Sequence, residues 1–274
     1  MIPDSILAKY SSAKQFFDHL MSNVTQSLVS NLPESLKSVF RNTLIGRKYK
    51  NYLVRKRYRE EQFIQREFNV GPKRESISIK IPKRADEWYA ETHEPKLISE
   101  LYESLNERVF YDIGSQFGFF LELARQFDVK DENIHGFEAN EFRFHLLSKV
   151  YDDTEVNTEN KRVSDQTDTH MIAIDDYISD SPKPDIVKID VEGAEMAVLN
   201  GMVETLRSKH PLLYVEIHPD MMLDFGYEVE ELLEFVQGFG YDIDLTDHRN
   251  PESEWYSIDQ KSDINVETYV LRAV

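Results

Sequence analysis

Apolar positions in the first part of the chain recur at helical spacing: Phe16, Phe17, Leu20, Met21 and Val24, then Leu28, Val29 and Leu32. Steps of three and four residues put these side chains on one helix face. Pro33 interrupts the pattern, and residues 34–40 fit a second short helix. Val70-Gly71-Pro72 is a turn signal, and residues 76–81 (SISIKI) alternate as a strand does, ending at Pro82. Residues 95–105 return to helical spacing, with Ile98, Leu101, Tyr102 and Leu105 on one face.

Beyond that point short apolar runs alternate with amphipathic stretches. Residues 109–113 (VFYDI), 134–138, 185–190 (DIVKID) and 212–217 (LLYVEI) read as strands. Helices are expected at 119–127, 140–150, 194–209 and 229–239. Strands separated by helices of this length predict a parallel sheet covered on both faces. Near the end, 241–246 and 267–272 (ETYVLR) are strands with no helix between them, which predicts an antiparallel pair. The expected architecture is therefore α/β, an open, mostly parallel sheet finished by an antiparallel C-terminal pair, with a mainly helical N-terminal extension. The expected division is an accessory region over residues 1–95 and a main domain over 96–274.

Charge divides the chain in a similar way. Residues 1–97 carry 18 Lys+Arg against 11 Asp+Glu, a net of +7, whereas residues 98–274 carry 14 against 39, a net of -25. The overall balance of -18 speaks against a protein that coats nucleic acid, because phosphate backbones attract positive surfaces. The basic residues concentrate over 47–66, from Arg47 and Lys48 to Arg59 and Arg66. Such a run serves either as a solvated helix face or as a peripheral contact with an anionic membrane surface. With no cysteine the chain has no disulfide and no thiolate chemistry. No apolar run long enough to span a bilayer and no secretory signal is seen, so a cytoplasmic location is expected.

Ligands in open α/β sheets bind at the carboxyl ends of the strands, and four such ends carry suggestive residues. Asp112-Ile113-Gly114-Ser115-Gln116-Phe117-Gly118 closes the first strand, where Gly114 and Gly118 allow close backbone approach. This is not the dinucleotide fingerprint GxGxxG, and Asp112 suits an ammonium better than a pyrophosphate. Glu138 ends the second strand, about twenty residues on, where a carboxylate commonly accepts ribose hydroxyls. A cofactor with a ribose and an amine but no phosphate fits both loops, and S-adenosylmethionine has those groups. Asp190, Glu192 and Glu195 crowd a later turn, and crowding of this kind raises a carboxyl's pKa toward that of a general base. Glu216 and His218 end the next strand on one face, as base and orienter or as ligands of a divalent cation.

The ordered set DIGSQFG, GFEAN, VSD, IDDYI, DIVKIDVEGAEMAVLNG and YVEIHP resembles the FkbM-type family of S-adenosylmethionine-dependent methyltransferases. The likeness covers roughly residues 95–274. It implies a class I Rossmann-like methyltransferase fold and transfer of a methyl group to a hydroxyl of a sugar, glycan or related natural product; the basic run over 47–66, rather than the resemblance, is where a lipid-linked acceptor would be approached. It also implies that Asp112, Gly114 and Gly118 line the methionine end of the cofactor, that Glu138 binds its ribose, and that Asp165 meets the adenine amino group. Asp190, Glu192 and His218 would face the transfer site, with Asp190 or His218 as base and Glu192 positioning the acceptor. Ser115-Gln116 stands where the family usually has Ala-Asn, and the chain between Asp165 and Ile174 is shorter than the family's usual hairpin. Metal assistance through Asp190, Glu192 and His218, a catalytically silent binding module and a dinucleotide-dependent oxidoreductase are the competing expectations.

Overall fold

Strands β1 (Phe63–Val70) and β2 (Glu75–Pro82) pair antiparallel, from Phe63 opposite Pro82 to Val70 opposite Glu75. The computed structural model describes residues 61–70, 75–86, 89, 94–247, 252–258 and 269–274. The expected N-terminal helices, the basic residues from 47 to 60 and the turn at 71–72 lie outside the described residues. The chain divides into two compact units, Met1–Glu61 and Gln62–Val274, so the hairpin ahead of residue 95 belongs to the same unit as the sheet. Strand β1 is an addition to the sequence reading. Its FIQREFNV run breaks the apolar alternation that marks β2.

Helix α1 (Pro95–Ser104) starts on Pro95, whose missing N–H costs nothing in the first turn. It leads into β3 (Phe110–Ile113), and a glycine-bounded loop then feeds α2 (Phe119–Gln126). The hairpin is fastened to α2: Phe68 meets Phe119 edge-on at 5.2 Å, and the Ser78 amide donates to the Gln126 carboxamide at 3.0 Å. Strand β4 (Ile134–Phe137) precedes α3 (Glu141–Tyr151), whose first turn is capped by the Asn140 side chain accepting from the Phe142 and Arg143 amides. A cap of this type is worth about 1 kcal/mol. Then follow β5 (Asn157–Glu159), β6 (Arg162–Val163), β7 (Met171–Ile172) and the short α4 (Ile174–Tyr177).

After β8 (Ile186–Ile189) the sequence pattern predicts one helix over 194–209, but two are found, α5 (Glu195–Asn200) and α6 (Val203–Lys209). Two contacts explain the break. A side chain on Gly201 would lie 2.0 Å from the Ser164 carbonyl oxygen, so the helix passes against the end of β6 at a residue without one. The Asp175 carboxylate also accepts from the Glu204 and Thr205 amides, which creates a fresh helix N-terminus. The chain ends with β9 (Leu212–Ile217), α7 (Pro219–Asp224), α8 (Val229–Gln237), β10 (Ile243–Thr246), β11 (Tyr256–Ser257) and β12 (Tyr269–Ala273).

The central sheet has eight strands in the order β11-β10-β12-β9-β8-β3-β4-β5. From β5 to β9 the pairings are parallel, whereas β12 runs antiparallel to both β9 and β10. All four residues of β3, β4 and β8 are buried, as both faces of a covered parallel sheet require. The chain builds outward from β3 to β5 and then returns to place β8 on the other side of β3. That reversal opens a crevice above the carboxyl ends of β3 and β8.

Candidate functional site

A cavity of about 390 Å³ lies at this crevice, with Gly114 and Gln116 after β3, Glu138 after β4, and Asp190 and Glu192 after β8 on its walls. The loop after β3 turns through left-handed conformations at Gly114 (φ 91°), Gln116 (φ 48°) and Gly118 (φ 85°). The two glycines are required by protein contacts. A Cβ on Gly114 would fall 1.8 Å from the Asp190 carbonyl oxygen, and one on Gly118 would meet Tyr151 at 2.6 Å. The buried Ser115 hydroxyl closes the loop by donating to the Asp112 carbonyl at 2.7 Å. Gln116 adopts its strained conformation while its amide donates to Glu138 at 2.9 Å.

Glu138 is buried and held from two sides. One oxygen accepts from Gln116 and the other from the Asn140 amide at 2.6 Å, so the carboxylate is fixed before any ligand arrives. Burial raises its pKa, and the amide donors and Arg143 oppose that rise.

Asp112 does not line the cavity. It is 1% exposed and sits beside Lys188, its register partner on β8, at 3.6 Å. Lys188 is equally buried and lies 3.6 Å from Asp190 on its other side. Burial opposes the charge on Lys188, yet Asp112 and Asp190 outweigh it and hold the ammonium above its usual value. Asp165 is exposed, stands outside the cavity lining and accepts from the Ser164 hydroxyl at 3.0 Å. The short segment after it is a tight turn in which Asp168 accepts from the His170 and Met171 amides.

The ends of β8 and β9 bring Asp190, Glu216 and His218 together. His218 Nε2 lies 3.8 Å from Asp190 and 3.5 Å from Glu216, and its Nδ1 lies 2.9 Å from Glu195. Glu195 is wholly buried and also accepts from the Gly193 amide at 3.0 Å. Burial works against charge on His218, but Glu195 and Glu216 more than compensate and lift its pKa to about 10. Asp190 is raised, first by burial, with Lys188 pulling against it. Glu192 is not part of this cluster: its side chain is 56% exposed and lies 4.0 Å from Arg143. Sequence reading counted Glu195 among three crowded acids without giving it a task. Its i, i+5 spacing from Asp190 conceals a contact with a histidine one strand away.

The cavity wall also includes Arg143, Lys161, Arg162 and Phe225, none of which the motif reading singled out. Among the described residues no helix is long and apolar enough to cross a membrane.

The profile described as the methyltransferase FkbM domain matches residues 50–243. No curated protein matches the chain. Among solved structures, an FkbM methyltransferase from Methylobacillus flagellatus KT is 19% identical over 62% of this chain, with a TM-score of 0.45. The alignment covers 44% of that chain, so the present chain spans less than half of its length. The magnesium protoporphyrin IX methyltransferase from Synechocystis PCC 6803, solved with bound S-adenosylmethionine, is 15% identical over 67% of this chain and 79% of its own, with a TM-score of 0.40. Fibrillarin from Aeropyrum pernix, with natively bound S-adenosyl-L-methionine, is 13% identical over 62% of this chain and 67% of its own, at a TM-score of 0.41. With the profile spanning most of its length, the chain belongs to the methyltransferase FkbM domain family.

Proposed function

We propose that the protein transfers a methyl group from S-adenosylmethionine to a hydroxyl of a sugar, glycan or related natural product. One observation carries this reading: the cavity at the sheet's switch point has a pre-fixed carboxylate, Glu138, on one wall and a pKa-raised carboxylate, Asp190, on the other. Glu138 keeps acceptor capacity for two ribose hydroxyls while its amide bonds prevent it from turning away. The Gly114 to Gln116 loop offers backbone to the methionine end, and the carboxylates of Asp190 and Glu192 favour a cationic sulfonium near them. Asp112 supports the site from beneath, through Lys188, rather than by direct contact.

The transfer is a direct displacement, in which the acceptor oxygen forms a bond to the methyl carbon as the carbon–sulfur bond breaks. The oxygen's proton passes to Asp190, whose raised pKa suits proton acceptance, while the imidazolium of His218 and the ammonium of Lys188 keep that carboxylate oriented. Phe225 offers an aromatic face on the cavity wall to the body of the acceptor. The net charge of -25 over residues 98–274 favours a neutral acceptor over an anionic polymer. Calorimetric titration with S-adenosylmethionine tests the cofactor, and an absence of heat at millimolar ligand refutes it. Incubation with methyl-labelled cofactor and a fractionated extract then tests the acceptor, with label expected in neutral hydroxylated fractions.

A further inference from the structure

We propose that Asp190, Glu216 and His218 form a binding site for a divalent cation of the Mn²⁺ or Zn²⁺ type. One donor atom from each residue lies within 4.8 Å of the other two. His218 Nε2 is 3.5 Å from Glu216 Oε1 and 3.8 Å from Asp190 Oδ1. Both separations exceed the roughly 2.7–3.2 Å of an ordinary N–H···O hydrogen bond. Donors bonded at about 2.1 Å to one cation stand about 3.0–3.4 Å apart, so the two histidine–carboxylate separations need shorten by only a few tenths of an ångström, while the two carboxylate oxygens, within 4.8 Å of each other, draw together around the ion.

The strands impose this convergence. Glu216 and His218 are two residues apart at the end of β9 and share a side, and Asp190 follows the neighbouring parallel strand β8. Orientation of the imidazole comes from a different element. Glu195, at the start of α5 and 0% exposed, engages Nδ1 at 2.9 Å and is itself tied to the Gly193 amide. A histidine held this way, 9% exposed, presents its other nitrogen to the two carboxylates, and binding of the cation displaces the proton that this nitrogen carries in the cation-free site. A buried carboxylate behind a ligating histidine is the usual outer-shell arrangement of metal sites. The second oxygen of Asp190 faces Lys188 at 3.6 Å, which leaves Oδ1 for the cation.

Two carboxylates and an imidazole favour a first-row divalent ion over Ca²⁺ or Mg²⁺, which prefer oxygen alone. Three protein ligands leave coordination positions open, and Asp190 lines the cavity, so an incoming hydroxyl could fill one. Where Asp190 also takes the acceptor's proton, a cation beside it would acidify that hydroxyl and leave the carboxylate less to do.

The test is titration of the full chain with MnCl₂, free Mn²⁺ being read by its paramagnetic resonance signal, in the absence of cofactor and acceptor. One equivalent is expected to bind and to be displaced by Zn²⁺. Glu216→Gln and His218→Gln should abolish binding, and Glu195→Gln, which leaves all three ligands in place, should weaken it about 10- to 100-fold. Thermal melts without metal establish that each variant is folded, and the isosteric Glu216→Gln decides if His218→Gln is not. No bound Mn²⁺ or Zn²⁺ in the wild-type chain at millimolar metal overturns the proposal, as does unchanged binding in folded Glu216→Gln. Titration with S-adenosylmethionine is independent of this readout, so failure of the cation site and failure of the methyl-transfer reading are told apart.

Discussion

The two walls of the cavity are built by different means. On the β3–β4 side the binding surface is largely backbone: left-handed residues at 114, 116 and 118, and a carboxylate pinned by two amides. On the β8–β9 side it is a network of charged side chains, Lys188, Asp190, Glu195, Glu216 and His218, few of which touch solvent. A backbone-built wall changes little when a side chain is exchanged, but it fails if a turn can no longer form. A side-chain wall keeps its shape under isosteric exchange and loses its chemistry instead. Binding and turnover should therefore separate between the two sides.

Gly114→Ala should have the largest effect, because the two walls meet at that residue. The new methyl group would lie 1.8 Å from the Asp190 carbonyl oxygen on a backbone at φ 91°, so a loss of about 3 kcal/mol or more is expected in urea unfolding. Wild-type stability in this variant would show that the walls are not interlocked. Asp190→Asn should lower turnover about 100-fold or more while calorimetric affinity for S-adenosylmethionine is kept. Equal losses in both quantities would dissolve the distinction between the walls.

The third prediction concerns the strand beneath Glu138. His135 on β4 is 2% exposed, and burial lowers its pKa from 6.5 to about 4. Between those values the unfolded chain holds more protons than the folded one, so the contribution is complete above pH 6.5 and is lost as pH falls toward 4. The stability difference between wild type and His135→Gln should change by about 3 kcal/mol across that window, and a constant difference would refute the assignment. The smallest effect is expected for Glu138→Gln. About a tenfold loss of cofactor affinity, with turnover at saturating cofactor kept, would place this residue in binding alone.

The contrast between the walls also explains what could be read from the chain beforehand. Strands such as 109–113 and 212–217 were legible because a covered parallel sheet demands unbroken apolar runs, and the helix over 95–105 because its apolar face repeats. The break between α5 and α6 was not legible, since it depends on Ser164 and Asp175, which lie far off in sequence. Glu138 could be placed from its position after β4 and is found on the cavity wall. Asp112 was read as facing a ligand, but its burial follows from pairing with Lys188 across a strand register that only the folded sheet displays. Glu195 was visible as an acid and hidden as the partner of His218 for the same reason.

Gly193 bears on how such a protein could change its substrate over evolutionary time. A Cβ there would come within 2.7 Å of the Met221 backbone, so the turn after β8 and helix α7 are fitted together with no room to vary inside. The outer side of the same segment is open, with Leu223 61% and Phe225 49% exposed. Selection can rewrite those outer positions, one of which lines the cavity, without disturbing the buried charges behind them. The scaffold thus separates what must be inherited intact from what is free to drift toward a new acceptor.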